Sequence, residues 1–202
     1  MSTPIIATPK VTKYILSRFK ITANKRLGQN FLIDPDVVER IALAAELTPQ
    51  DQVLEIGPGI GTLTQALAQS GAQVVAVELD QRLLPVLSTT LKDYQNIKIV
   101  HGDILKIPIM EHLERGFKCC ANLPYYITTP IIFALLEQKL PLERLVVMVQ
   151  KEVAERMTAQ PASKDYGALS IAMQYYTEPK IAFSVPACSF YPAPNVESAV
   201  VV

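Results

Sequence analysis

Apolar and polar positions change period along this chain, and the changes mark out its elements. Short apolar runs at 52–56, 73–78, 97–101, 117–121 and 144–149 read as strands, the last almost wholly apolar, as a central strand of a parallel sheet should be. Helical patterns fall between them, near 61–70, 81–93, 129–138, 151–159 and 167–176. Strand and helix in alternation predict a parallel sheet covered by helices on both faces. Two further strands, 180–185 and 198–202, joined by the stretch from Pro186 to Glu197, predict an antiparallel hairpin at the sheet edge and bring the strands to seven. Before the first strand, Asp34 and Pro35 open a helix with Val37, Val38, Ile41, Ala42 and Ala45 on one face, and Thr48-Pro49 ends it. Pro85 predicts a late start or a kink in the 81–93 helix, and Thr129-Pro130 a cap for the one that follows. Residues 25–33 show no period and read as a loop packed on the body.

The sharpest signal is Val53-Leu54-Glu55-Ile56-Gly57-Pro58-Gly59-Ile60-Gly61-Thr62-Leu63, a strand, a tight glycine turn and a helix start. Glycine takes positive φ and has no Cβ, so its backbone N–H groups can approach a polar ligand beside a helix N-terminus. The dinucleotide fingerprint fails, because Thr62 stands where its third glycine belongs, and no Gly-Lys-Ser/Thr follows for a phosphate loop. Two acids, Glu78 and Asp103, stand at later strand ends, where a carboxylate can accept both hydroxyls of a ribose. Asp80 reads as a helix cap.

Composition narrows the class. Half of the 202 residues are apolar, enough for one good core, and no long uninterrupted apolar segment or signal peptide is present, so a soluble protein is expected. Cys119, Cys120 and Cys188 lack metal spacing and read as structural thiols of a reducing compartment, and His101 and His112 offer neither triad nor metal cluster. The zero net charge hides an asymmetry. No acid precedes Asp34, while Lys10, Lys13, Arg18, Lys20, Lys25 and Arg26 do, which leaves 13 bases against 19 acids in the remainder. A basic arm on an acidic body points to phosphates; a solvated tail or a transit peptide would share that composition.

The glycine turn after an acidic strand residue, with the acids downstream, resembles the Rossmann-like methyltransferases that use S-adenosylmethionine (SAM). Asn122-Leu123-Pro124-Tyr125 matches the motif of the amino methyltransferases in that class, which act on adenine, cytosine or glutamine. An aromatic amine is a poor nucleophile, since its lone pair is delocalised into the ring. Two acceptors, the Asn122 side-chain oxygen and a main-chain carbonyl at Leu123 or Pro124, could hold its hydrogens and favour a pyramidal nitrogen. Proline fixes the turn, and Tyr125 offers a face for stacking. No dedicated base is needed, because the cationic product can lose its proton to water.

Leu27-Gly28-Gln29-Asn30-Phe31-Leu32 before the fold and Phe190-Tyr191-Pro192-Ala193-Pro194-Asn195-Val196-Glu197-Ser198 after it narrow the likeness. From about Ile6 onward the chain resembles the KsgA/RsmA small-subunit ribosomal RNA adenine dimethyltransferases. The resemblance implies SAM as cofactor and dimethylation of two adjacent adenosines near the 3′ end of 16S rRNA, in the small subunit or its precursor, with a part in subunit biogenesis. It implies SAM contacts from Asn30, Leu32, Gly57, Gly59, Glu78, Asp103 and Asn122. Leu123, Pro124, Tyr125 and Phe190 would complete the catalytic pocket, with the flipped adenine stacked on Tyr125 and closed over by Phe190; Phe31 is a weaker candidate for the same pocket. It further implies a cytoplasmic monomer without membrane or metal, a basic arm and cofactor loop over 1–34, and a methyltransferase domain over 35–202. The family's small helical C-terminal domain lies beyond this sequence, which stops inside a strand as a fragment would. Two neighbouring readings are an Erm-type 23S rRNA methyltransferase, which typically carries isoleucine at Leu123, and an assembly factor in which binding outweighs catalysis. A small-molecule or protein-glutamine methyltransferase is disfavoured by the basic arm and the Phe190 motif.

Overall fold

A computed structural model describes residues 4–202, so the first three residues of the arm assigned to 1–34 lie outside the described residues. In chain order the elements are α1 (Pro9–Arg18), β1 (Phe31–Leu32), α2 (Pro35–Ala44), β2 (Gln52–Ile56), α3 (Thr62–Gln69), β3 (Gln73–Glu78), α4 (Leu84–Thr90) and β4 (Ile97–His101). After them come β5 (Phe117–Asn122), α5 (Thr128–Glu137), β6 (Leu142–Gln150), α6 (Lys151–Thr158), α7 (Ala168–Tyr176), β7 (Ile181–Val185), β8 (Phe190–Tyr191) and β9 (Ser198–Val201). The main sheet runs β4-β3-β2-β5-β6-β9-β7. Its first five strands are parallel, and β9 is antiparallel to both β6 and β7, the expected edge hairpin. Strand order reverses between β2 and β5, so their carboxyl ends flank a switch-point crevice, where ligands of open α/β sheets bind.

Side-chain alternation along the strands builds a core on each face. Leu54, Ile56, Cys119, Ala121, Val147 and Val149 meet Ile131, Ile132 and Leu135 of α5, Met157 of α6 and Met173 of α7. Val53, Val74, Ala76, Cys120, Val146 and Met148 meet Val37, Val38 and Ile41 of α2 and Leu63 and Leu67 of α3. Burial pushes the Cys119 and Cys120 thiols up, which keeps them inert. Cys188, also read as a structural thiol, is exposed, in the turn Ala187–Ser189.

The basic arm holds a helix that its charge obscures. Thr8 caps α1 by accepting from the Val11 N–H, Pro9 lies in the first turn, and Thr12, Ile15 and Leu16 are buried at helical spacing. Ile15 and Leu16 pack with Ile60, Leu83, Val86, Leu87 and Leu91, which seats α1 on α4. The segment before it is tied down as well: the Ile6 N–H donates to Gln65 Oε1 at 3.0 Å, and the Thr12 hydroxyl to the Ile6 carbonyl at 3.0 Å. The segment read as a loop, 25–33, contains β1, paired antiparallel with β8. Pro85 marks the late start: Asp80 caps a short turn over Gln81–Leu83, and α4 begins at Leu84. The Thr129-Pro130 cap is absent. Ile127 occupies the cap of α5, and Thr128 donates to the Pro124 carbonyl at 2.9 Å instead.

Candidate active site at the switch point

Residues from both halves of the sheet converge on one cleft of about 1090 Å³, a space that includes its opening to solvent. Of the residues singled out from the sequence, Asn30, Phe31, Leu32, Gly57, Gly59, Glu78, Asp103, Asn122, Leu123, Pro124 and Tyr125 all line it.

The glycine turn forms the floor. Gly57 has φ +70°, and a Cβ built there would meet nothing within 4 Å, so its backbone borders open cleft. Gly59, at φ +62°, donates its N–H to Glu78 Oε2 at 3.1 Å. An L side chain at either position would be strained by that φ. The other Glu78 oxygen accepts the Asp80 N–H at 2.7 Å, so the carboxylate is held rigidly at the end of β3 with lone pairs to spare. Burial raises its pKa despite these bonds. Asp80 is tuned the other way: Arg82 forks onto it at 2.9 and 2.6 Å, which holds the carboxyl below its ordinary range. Asp80 also accepts from Gln29 Nε2 at 2.8 Å, and Gln29 Oε1 accepts the Asn24 N–H at 2.8 Å, so this acid fastens the N-terminal segment to the cleft rim. Asp103 begins the turn after β4, accepting the Leu105 N–H at 3.1 Å. Leu79, 46% exposed between two acids, and Ile104 supply apolar walls.

Opposite the glycine turn stands the Asn122 corner. The Asn122 amide donates to the Asn30 carbonyl at 3.3 Å, while its Oδ1 accepts nothing from the described residues. Sequence left open whether Leu123 or Pro124 offers the second acceptor, and the geometry separates them. The Pro124 carbonyl already accepts from the Ile127 N–H at 3.2 Å and the Thr128 hydroxyl at 2.9 Å. The Leu123 carbonyl accepts no hydrogen bond among the described residues, while its N–H ties the corner to the Met148 carbonyl at 3.0 Å. Tyr125 is clamped by a 2.7 Å hydrogen bond between its hydroxyl and that of Ser198, and burial raises its pKa.

Phe190 departs from the expectation. It is 2% exposed, packs in the core with Leu32, and does not line the cleft. Alternation along β8 turns Phe190 inward and Tyr191 outward. Sequence reasoning missed Gln29, Leu79, Tyr126 and Ser198; of these only Leu79 left a trace, an apolar residue between acids at a strand end. It also gave Glu55 no role. Glu55 lines the cleft and is 1% exposed; its Oε2 has no hydrogen-bond partner among the described residues, and Thr64 is the threonine close enough to offset part of its burial. Burial, reinforced by the Glu78 charge, pushes it from 4.5 up to about 8.

Among the described residues no group of His, Cys, Asp and Glu could hold a metal ion, and no helix is long and apolar enough to cross a membrane. Residues 20–202 match the family model described as ribosomal RNA adenine dimethylase. The "Ribosomal RNA small subunit methyltransferase A" of Bacillus pumilus is 54% identical over 202 residues, which span 97% of this chain and 69% of that protein. Among solved structures, a dimethyladenosine transferase from Plasmodium falciparum is 33% identical with a TM-score of 0.76, covering 85% of this chain and 62% of that one. The 23S rRNA methyltransferase ErmE is 34% identical, also with a TM-score of 0.76, covering 85% and 68%. The chain belongs to the ribosomal RNA adenine dimethylase family.

Proposed function

We propose that the cleft holds SAM against an adenosine of 16S rRNA, in the small ribosomal subunit or its precursor, and that the chain dimethylates the exocyclic amines of two adjacent adenosines near the 3′ end. The observation that carries this reading is the Asn122 corner: an amide pinned by Asn30, an open Oδ1, and a Leu123 carbonyl left free while that of Pro124 is consumed. Two open acceptors side by side suit an NH₂ group. Holding both hydrogens draws the nitrogen toward a pyramidal shape and points its lone pair away from the ring. Bound SAM supplies a methyl group already activated on sulfonium. Asn122 and Leu123 would hold the amine so that its lone pair faces that methyl group, and the extra proton would pass to water. Proximity and orientation account for the rate, with no general base in the scheme.

The residues present fit the cofactor. Glu78 would take the ribose hydroxyls with the lone pairs left over from Gly59 and Asp80, Asp103 the adenine amine, and Leu79 and Ile104 the faces of that ring. Asn30, Leu32, Gly57, Gly59 and Asn122 would border the remainder, and Tyr125, its ring fixed by Ser198, would stack on the target base. We assign Phe190 a supporting role behind Leu32. The catalytic unit would be residues 35–202 with the N-terminal segment as a wall of the same site, acting as a monomer in the cytoplasm. Replacing Glu78 with Ala should weaken SAM binding about 10- to 100-fold, since it removes charged acceptors worth about 1.5–3 kcal/mol each. Calorimetry checks this, and affinity within twofold of wild type would contradict the assignment.

Small-subunit names among the curated relatives favour 16S rRNA, while the fold matches the 23S enzyme ErmE equally well. Purified 16S and 23S rRNA, each offered with methyl-labelled SAM, separate the two. Label in 16S RNA supports the reading, and label confined to 23S RNA overturns it.

A further inference from the structure

We infer that the exposed face of α1, together with Tyr191, is a track for the RNA strand that leads to the cleft; this rests on the RNA reading above. Lys10, Lys13, Tyr14, Ser17 and Arg18 follow one another at helical spacing and are all exposed. The opposite face, through Thr12, Ile15 and Leu16, is what anchors the helix. Arg18 donates to the Tyr14 hydroxyl at 3.3 Å and lies over the Phe19 ring, but no acid neutralises these cations. No ion pair among the described residues involves Lys10, Lys13 or Arg18, and α1 carries no acid in its first turn. Lys10 stands near the positive end of the helix dipole, a placement that costs roughly 0.3–1 kcal/mol. A helix shaped only for stability would put Glu or Asp there, and would pair charges three or four residues apart.

The stripe is physically joined to the cleft. Lys13 Nζ lies 5.2 Å from the centre of the Tyr191 ring, and Tyr191 is 40% exposed. Tyr191 is registered opposite Phe31 in the β1·β8 pair, and Phe31 lines the cleft. At the mouth itself stands Tyr126, 53% exposed. Cations alternating with exposed ring faces fit a strand with phosphates on one edge and bases to stack on the other. An acidic peptide would use the charges but leave the rings idle.

Changing Lys10→Gln, Lys13→Gln and Arg18→Gln together tests the track, because all three side chains are exposed and the core of α1 is untouched. The probe is a fluorescent RNA hairpin with two adjacent adenosines in its loop, titrated across about 50–200 mM salt and also used as methyl acceptor. Three lost phosphate contacts should flatten the logarithmic salt slope by about 2 and weaken RNA binding about 10- to 100-fold. KM for RNA should rise by the same factor, with kcat and SAM affinity within twofold of wild type. The distant set Lys139→Gln, Lys164→Gln and Lys180→Gln should leave the slope unchanged. A wild-type slope in the α1 variant, or equal losses in both sets, would overturn the track while wild-type methylation of RNA leaves the function standing. Displacement of the hairpin by polyglutamate of matched charge would overturn it in favour of an acidic peptide. If the wild-type chain methylates no RNA, the functional reading falls and the track with it.

Discussion

Replacing Asn122 with Ala should reduce the single-turnover rate of methyl transfer about 100- to 1000-fold, the range seen when one preorganised polar contact to a reacting group is removed. SAM affinity should fall less than about tenfold, because Glu78, Asp103 and the glycine turn remain in place. The separation is the informative part. Asn122 donates to the Asn30 carbonyl, and in the proposed reading it also offers Oδ1 to the target; only that second task concerns the nitrogen that reacts. Quenched-flow measurement at saturating SAM and RNA reads the rate, and calorimetry reads the affinity. A rate within tenfold of wild type would move the chemistry away from this corner. If the variant transfers no methyl yet still supports subunit maturation in cells, binding carries the assembly role.

The second large effect is on stability. Glu55 is held protonated by burial, with its pKa near 8 instead of 4.5. Below about pH 4.5 the folded and unfolded chains both carry this proton, so the residue has no effect on the pH dependence there. Between about 4.5 and 8 the unfolded chain ionises while the folded chain does not, so stability falls as pH rises. Above 8 the full penalty is present, on the order of 5 kcal/mol. Glu55→Gln removes the ionisation, and the amide can still pair with the neighbouring Thr64. The variant should therefore melt about 10–20 °C above wild type at pH 8.5 and close to it at pH 5. Thermal scans of both proteins across that range check this; parallel curves at every pH would show that Glu55 is already ionised in the fold.

Much of the architecture could be read from the chain, and the misses share a cause. β2, β3, β5 and β6 are apolar runs long enough to declare themselves, and the glycine turn and the Asn122 corner are local motifs whose backbone follows from their own residues. What escaped depends on partners far away in sequence. β1 and β8 are two residues each and exist only through pairing across more than a hundred positions. The direction Phe190 faces is set by that pairing, so the motif alone could not tell a stacking wall from a core residue. α1 was hidden by its charge: the basic residues drew attention to phosphates, and the Thr12, Ile15, Leu16 spacing beneath them went unread. The choice between the Leu123 and Pro124 carbonyls needed the positions of the Ile127 N–H and the Thr128 hydroxyl, which are set by where α5 begins.

Nucleoside analysis of the RNA product tests the central claim most directly. After incubation of the chain with SAM and unmethylated 16S rRNA in small subunits, digestion and mass spectrometry should recover N6,N6-dimethyladenosine from two neighbouring positions. Methyl groups found only on ribose, on ring nitrogens or on pyrimidine carbon would contradict the account, in which the Asn122 corner presents an exocyclic amine.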